Sequence, residues 1–113
     1  MLPKFTYARP TTIDEALAML DDRPSVVHGG GTDLLGCLRD GVLSAVNLVS
    51  LSSIEELRGI RQASNGGLRI GALTTVAEVA SSDAVAEKYA VLGQAASEVA
   101  SPQLRNQGTI AGN

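Results

Sequence analysis

Apolar and polar positions along this chain come in short blocks, each closed by a strong turn signal. Phe5-Thr6-Tyr7-Ala8 alternates with period two and ends at Arg9-Pro10, where the residue ahead of proline is held extended, so a short strand is predicted. Thr12 and Glu15 have the spacing of a capping box. Ile13, Ala16, Leu17 and Leu20 then recur at helical intervals up to Asp22-Arg23-Pro24, which predicts an amphipathic helix. Ser25-Val26-Val27-His28 is a β-prone run that opens into Gly29-Gly30-Gly31. Beyond the glycines, Thr32 to Asp40 has helical composition and Gly41 stands where a C-terminal cap belongs.

Ala45 to Leu51 is a nearly continuous apolar run of strand length, which is the pattern of a buried strand. Ser52 with Glu55 has the spacing to cap a single helical turn. Asn65-Gly66, between Gly59–Ala63 and Leu68–Ala72, predicts a hairpin with a type I′ turn, in which both central residues take positive φ. Thr75 and Glu78 cap a short helix. Asp83 begins a longer one whose apolar face is Val85, Tyr89, Leu92, Ala96 and Val99, ended by Ser101-Pro102. The polar, glycine-broken stretch from Gln103 to Asn113 reads as a loop with at most a short strand.

These elements make an α+β (mixed α/β) domain, a small sheet of short strands with flanking helices. At 113 residues the chain fits one compact domain, which buries about two-thirds of the surface of its extended form. The turn pair Gly112-Asn113 at the end normally leads into further structure, so the expectation is a domain that continues past Asn113. An apolar fraction of 44% and a charged fraction of 19% are ordinary for a folded domain. No apolar run approaches the roughly 20 residues a bilayer crossing needs, and no secretory signal opens the chain, so a cytoplasmic protein without a membrane partner is expected. A net charge of -3 supplies no basic footprint for nucleic acid.

Candidate chemistry narrows by elimination. One histidine, one cysteine and no clustered carboxylates argue against a metal site, since even a catalytic zinc wants three protein ligands. A nucleophilic triad would rest wholly on His28, and Cys37 reads as a small buried hydrophobe, so no catalytic side chain is assigned. With 12 glycines and only 3% aromatics, function rests on main-chain atoms. In Gly29-Gly30-Gly31-Thr32-Asp33-Leu34 a strand ends in glycines and enters a helix. Unpaired N–H groups beside the positive end of a helix dipole suit phosphate oxygens, and a Cβ would keep the anion away. Thr32 adds a hydroxyl, and Asp33 suits the helix cap. The segment meets only two of the three glycines of a dinucleotide fingerprint and lacks the Gly-Lys-Ser/Thr of a triphosphate loop. A turn that simply packs helix on strand explains the glycines as well.

Taken together, Gly29-Gly30-Gly31-Thr32-Asp33-Leu34-Leu35, then Ile70-Gly71-Ala72-Leu73-Thr74-Thr75, then Arg105-Asn106 and Gly108-Thr109-Ile110-Ala111-Gly112-Asn113 resemble the FAD-binding subunit or domain of molybdopterin hydroxylases. That group includes xanthine dehydrogenases, aldehyde oxidases and the medium subunit of carbon monoxide dehydrogenase. The opening Phe5-x-Tyr7-x-Arg9-Pro10 with Ile13-x-Glu15-Ala16 is similar as well, so the resemblance spans essentially the whole chain. It implies the first half of a PCMH-type FAD-binding domain, cut at its second cofactor loop. Gly29, Gly30, Gly31, Thr32, Asp33 and Leu34 would wrap the FAD diphosphate. Thr109, Ile110, Ala111, Gly112 and Asn113 would approach the diphosphate and ribitol from the other side. Ile70-Gly71-Ala72 would flank the adenine or flavin region. Arg105 and Asn106 would hold the second loop, with Arg105 also available to neutralise phosphate.

The family's second loop commonly reads Thr-Ile-Gly-Gly-Asn, and Ala111 stands at its first glycine. If that position needs positive φ, alanine costs about 1 kcal/mol there. His28 replaces a commonly small residue, and so either crowds or contacts the cofactor. The implied activity is electron relay in a multi-component oxidoreductase: a molybdenum-cofactor subunit oxidises substrate, a 2Fe-2S subunit conducts electrons, and FAD passes them to NAD or another acceptor. The chain alone should be inert towards substrate. A degenerate flavin fold acting as an assembly module, or an unrelated α/β domain for another nucleotide phosphate, are the competing readings.

Overall fold

The structure, a computed structural model, describes residues 6–22, 24–29 and 47–112. The chain divides into two compact units, Met1–Glu55 and Glu56–Asn113. Both are built from short elements, in line with the expected α+β class.

The first unit contains β1 (Thr6–Ala8), α1 (Ile13–Asp22), β2 (Val26–His28) and β3 (Asn47–Ser50). Its strands form a parallel sheet in the order β1-β3-β2, with Tyr7 opposite Leu48 and Val27 opposite Val49. Every residue of the central strand β3 is buried, which explains why its sequence is a continuous run and does not alternate. Both ends of its first polar side chain are bonded. The Thr6 hydroxyl donates to Asn47 Oδ1 at 2.7 Å, and Asn47 Nδ2 donates to Ser25 Oγ at 3.1 Å, so one amide joins β3 to β1 and to the approach to β2. The Ser50 and Ser52 hydroxyls lie 2.9 Å apart, and Arg9 Nη2 donates to Ser52 Oγ at 3.2 Å.

Helix α1 starts where its cap predicts. The Glu15 amide donates to Thr12 Oγ1 at 3.1 Å, and the Glu15 carboxylate accepts from the amide and hydroxyl of Thr11 at 3.2 and 3.3 Å. The helix expected over Thr32 to Asp40 with its Gly41 cap lies outside the described residues, as do Gly30, Gly31 and Asn113.

A 3-10 turn, Glu55–Leu57, leads into the second unit: β4 (Ile60–Gln62), β5 (Leu68–Ile70), α2 (Val76–Ser81), α3 (Asp83–Lys88), α4 (Ala90–Ser97) and α5 (Pro102–Gln107). Strands β4 and β5 pair antiparallel with Ile60 opposite Ile70 and Arg61 opposite Arg69. Ile60, Leu68 and Ile70 pack on a core of Val76, Val79, Val85 and Ala96. The hairpin is present, but its turn is not type I′. Gly66 has φ +88° and Asn65 does not take positive φ; the Gly66 amide bonds the Ala63 carbonyl at 3.1 Å, and the Ala63 amide bonds the Gly67 carbonyl at 2.8 Å. This is the three-residue loop in which one glycine in the left-handed region closes a bulge. Asn65 instead accepts from the Gly67 amide at 3.0 Å through Oδ1.

Two further expectations are corrected. The long helix from Asp83 is broken at Tyr89 (φ -138°, ψ 59°), which ends α3 and begins α4. Val85 and Ala96 are buried on either side of the break, whereas Tyr89 and Leu92, which share a face with them on a straight helix, are exposed. The segment after Ser101 is also helical. Ser101 Oγ accepts from the Leu104 amide at 3.2 Å and Pro102 takes the first helical turn, so the Ser-Pro pair starts a helix as well as ending one. Helix α2 has the complete Thr75–Glu78 capping box that the sequence predicts.

Main-chain contact at Gly71 organises the unit. A Cβ there would lie 2.2 Å from the Leu57 carbonyl oxygen, a distance that only the missing side chain relieves. The approach lets the Gly71 amide bond the Gly59 carbonyl and the Leu73 amide bond the Leu57 carbonyl, each at 2.9 Å. Gly71→Ala is expected to cost about 2–4 kcal/mol of unfolding free energy, measured by denaturant titration, through strain and the loss of these bonds. Ala100, with φ 46°, is the non-glycine residue held in the left-handed region among those described. Ala100→Gly should raise stability by roughly 0.5–1 kcal/mol by relieving that strain, and an unchanged or lower midpoint would contradict it.

Candidate functional site

Of the loop residues singled out by the sequence, the described ones fall at Gly29 and on the bend Thr109–Gly112. Gly29 follows directly on β2 in the first unit, at the carboxyl end of a parallel strand, and is partly buried. The backbone just before it is fixed, because the His28 carbonyl accepts from the Leu51 amide at 2.9 Å. Gly30, Gly31, Thr32, Asp33 and Leu34 lie outside the described residues.

The second bend, Thr109–Gly112, is assembled on the segment leaving β5. Thr109 forms an antiparallel bridge with Thr75, the Val76 amide bonds the Gly108 carbonyl, and the Ile110 amide bonds the Thr74 carbonyl, the last two at 2.9 Å. The Ala111 amide bonds the Ala72 carbonyl at 3.2 Å. Thr74 is fully buried, and its hydroxyl accepts from the Gly59 amide and donates to the Gly59 carbonyl, both at 3.1 Å. A chain of bonds thus runs from Gly59 through Thr74 to Ile110.

This changes the expected chemistry of the second bend. Its amides are not bare: Ile110 and Ala111 donate to the chain's own carbonyls, and Gly112 donates to Thr109 Oγ1 at 3.2 Å. Ile110 also packs its side chain on the hydrophobic core, so it anchors the bend. What the bend presents outward is the main chain of Ala111 and Gly112, both exposed, with the Thr109 hydroxyl behind them. Thr109 is 92% buried, and its hydroxyl oxygen already accepts a bond, so its proton is available to an acceptor.

The feared strain at Ala111 does not arise, because it does not take positive φ. At Gly112 a Cβ would stand 2.9 Å from Thr109 Oγ1, so a side chain there would break the turn. Arg105 acts elsewhere than expected: its Nη1 donates to the Val99 carbonyl at 2.9 Å, which steadies the strained corner at Ala100 and not the second bend. Asn106 is exposed on α5. Ile70-Gly71-Ala72, read by resemblance as lining a ligand, serves as the template that the second bend is bonded to.

One polar atom on the first bend is unaccounted for. His28 Nδ1 is buried with no hydrogen-bond partner, and its ring stands edge-on to Tyr7 with centroids 6.4 Å apart. Within the second unit, the main chain uncovered at Gly112 fits the close approach of a polar ligand. The described residues hold no group of three or more His, Cys, Asp or Glu placed to take a metal ion.

Two small sheets and short helices make up a mixed α/β fold. The chain belongs to the family described as FAD binding domain in molybdopterin dehydrogenase, whose profile matches residues 3–113, and FAD is the cofactor of that family. It is 35% identical over 113 residues to the carbon monoxide dehydrogenase medium chain of Hydrogenophaga pseudoflava, covering 98% of this chain and 39% of that one. It is 36% identical over 109 residues to the xanthine dehydrogenase FAD-binding subunit of Escherichia coli O157:H7, covering 96% and 37%. Among solved structures, reconstituted CO dehydrogenase from Oligotropha carboxidovorans superimposes with a TM-score of 0.95 at 32% identity, over 99% of this chain and 40% of that one. The chain therefore spans about two-fifths of the length of the relatives it matches.

Thr109→Val keeps the shape of the side chain and removes the acceptor for the Gly112 amide. It should cost about 1 kcal/mol of stability and speed amide exchange at Gly112, while Thr109→Ser should leave both near the parent's values. Equal exchange at Gly112 in all three proteins would show that the hydroxyl does not hold the turn.

Proposed function

We propose that this chain is the N-terminal part of a FAD-binding domain in a cytoplasmic, molybdenum-containing hydroxylase or dehydrogenase. It holds the flavin that relays electrons from the 2Fe-2S clusters of one partner subunit, downstream of substrate oxidation at a molybdenum-cofactor subunit, to NAD or another acceptor. The observation that carries this reading is the match of the family profile over residues 3–113, which takes in both glycine bends.

In this reading Gly29, Gly30, Gly31, Thr32, Asp33 and Leu34 form the first contact. Amides freed by the glycines receive diphosphate oxygens, the Thr32 hydroxyl adds a donor, and Asp33 caps the following helix. Thr109 to Asn113 form the second contact. There Ile110 anchors, the Thr109 hydroxyl donates, and Ala111 and Gly112 bring the main chain close. The chain's own contribution is to bind, orient and shield the nucleotide; substrate oxidation belongs to partner subunits. Among the described residues no helix is long and apolar enough to cross a membrane.

The engaged amides of Ile110 and Ala111 favour a second reading, a flavin fold kept as an assembly module that no longer loads its cofactor. Purification of the natural full-length protein separates the two. Flavin absorption, with FAD released on denaturation, supports the first reading, and Gly30→Val should lower FAD affinity at least a hundredfold by placing a side chain where the anion sits. A colourless protein that takes up no added FAD overturns the first reading in favour of the second.

A further inference from the structure

The outer face of the β4–β5 hairpin carries positive charge without a counter-charge among the described residues. Ile60, Leu68 and Ile70 pack on the core, so alternation turns Gly59, Arg61 and Ala63 of one side and Gly67, Arg69 and Gly71 of the other to the opposite face. Arg61 and Arg69 are therefore the long side chains of that face; they stand directly opposite each other, and both are exposed. Like charges so placed, with Cβ atoms roughly 5 Å apart, repel. The neighbouring sequence offers no relief, because Leu57 to Ala77 contains three arginines and no Asp or Glu. Among the described residues neither Arg61 nor Arg69 makes an ion pair, and Arg61 Nη2 donates to the uncharged carbonyl of Arg58.

The tip of the hairpin adds to this surface. Lys88 Nζ donates to the Gly66 carbonyl, and the Tyr89 hydroxyl lies 3.6 Å from where a Cβ on Gly67 would stand. Gly67 shares the face of Arg69, so the helix break at Tyr89 brings the hydroxyl end of a half-exposed ring to the edge of the arginine face. A chain with a net charge of -3 thus displays a cationic spot of arginine and tyrosine, the residues that protein interfaces concentrate at their energetic centres.

We propose that the Arg61–Arg69 face, with Tyr89 at its rim, is a docking surface for a protein partner that presents Asp or Glu carboxylates to it. A carboxylate set between the two guanidinium groups accepts N–H bonds from both and cancels the repulsion that the free hairpin carries. Charge complementarity selects protein over nucleic acid: the net negative charge of the chain repels a long polyanion, and two arginines are too few for a phosphate track, whereas a few carboxylates fit a spot of this size. Neither arginine belongs to the cofactor bends, so docking here and flavin binding are separable by mutation.

The test uses the natural full-length protein, with fluorescein-labelled octaglutamate as the carboxylate probe and fluorescence anisotropy at low ionic strength as the readout. Arg61→Gln/Arg69→Gln removes both guanidinium groups. Gln94→Glu/Gln103→Glu lowers the net charge by the same amount at exposed positions of α4 and α5. The arginine variant should bind the probe at least tenfold more weakly than the parent, and the glutamine variant within about threefold of it. The thermal midpoint of the arginine variant should stay level or rise, because a like-charge pair has been removed. A parent that does not bind octaglutamate, or an arginine variant that binds it as well as the parent, overturns the proposal. Equal losses in the two double variants also overturn it, since net charge alone would then govern binding. A single-stranded oligonucleotide of the same charge that binds the parent more tightly than octaglutamate overturns it in favour of a phosphate partner.

Discussion

The absent side chain at Gly71 is the constraint on which the second unit turns. With a Cβ excluded, the strand leaving the hairpin lies flat against residues 57–59, and the carbonyls of Ala72 and Thr74 remain on its other side to receive residues 110 and 111. Thr74 fixes the spacing between these two tiers because its buried hydroxyl both accepts from and donates to Gly59. Hydrophobic packing by Val76, Val79, Val85 and Ala96 stabilises the unit and takes in Ile110 of the second bend. Main-chain hydrogen bonds fix the register of Thr109–Gly112.

The same bonds join two of the sequence segments that stand far apart in the chain. Gly71 and its neighbours hold residues 109–111, so the middle motif is tied mechanically to the last one. The first unit solves a comparable problem with a side chain. Asn47, buried in the central strand, spans from Thr6 to Ser25 and so aligns the three parallel strands whose exits carry His28 and Gly29. Each unit thus presents a bend, and each bend is placed by a hydrogen-bonded polar group inside the structure.

Much of this was legible in the sequence wherever a local rule governs the outcome. Thr12 with Glu15 and Thr75 with Glu78 mark helix starts because capping is a contact between near neighbours. The run around Leu48 and Val49 marks a central strand because both of its faces are buried. Asn65-Gly66 marks the hairpin, though the turn type depended on where pairing resumed, and that is decided by the partner strands. The break at Tyr89 carries no glycine or proline. Its outcome is that Tyr89 and Leu92 are exposed while Val85 and Ala96 are buried, which periodicity along one straight helix does not foretell. Helix α5 was obscured because Ser101-Pro102 both closes and opens helices. Least legible was the second bend: glycine and threonine suggested open amides, while the acceptors that occupy them lie nearly forty residues away in the sequence, at Ala72 and Thr74.

That distant anchoring has a thermodynamic consequence for recognition. A loop that must freeze when its ligand arrives gives up conformational entropy at that moment, and its affinity suffers accordingly. Residues 109–111 are held by acceptors belonging to the chain itself, so the entropic cost of shaping them is met during folding. Under the proposed function, a nucleotide meeting this bend encounters a pre-set surface. Substitutions that loosen Ala72 or Thr74, without touching the ligand, would then weaken binding by returning that disorder to the free protein.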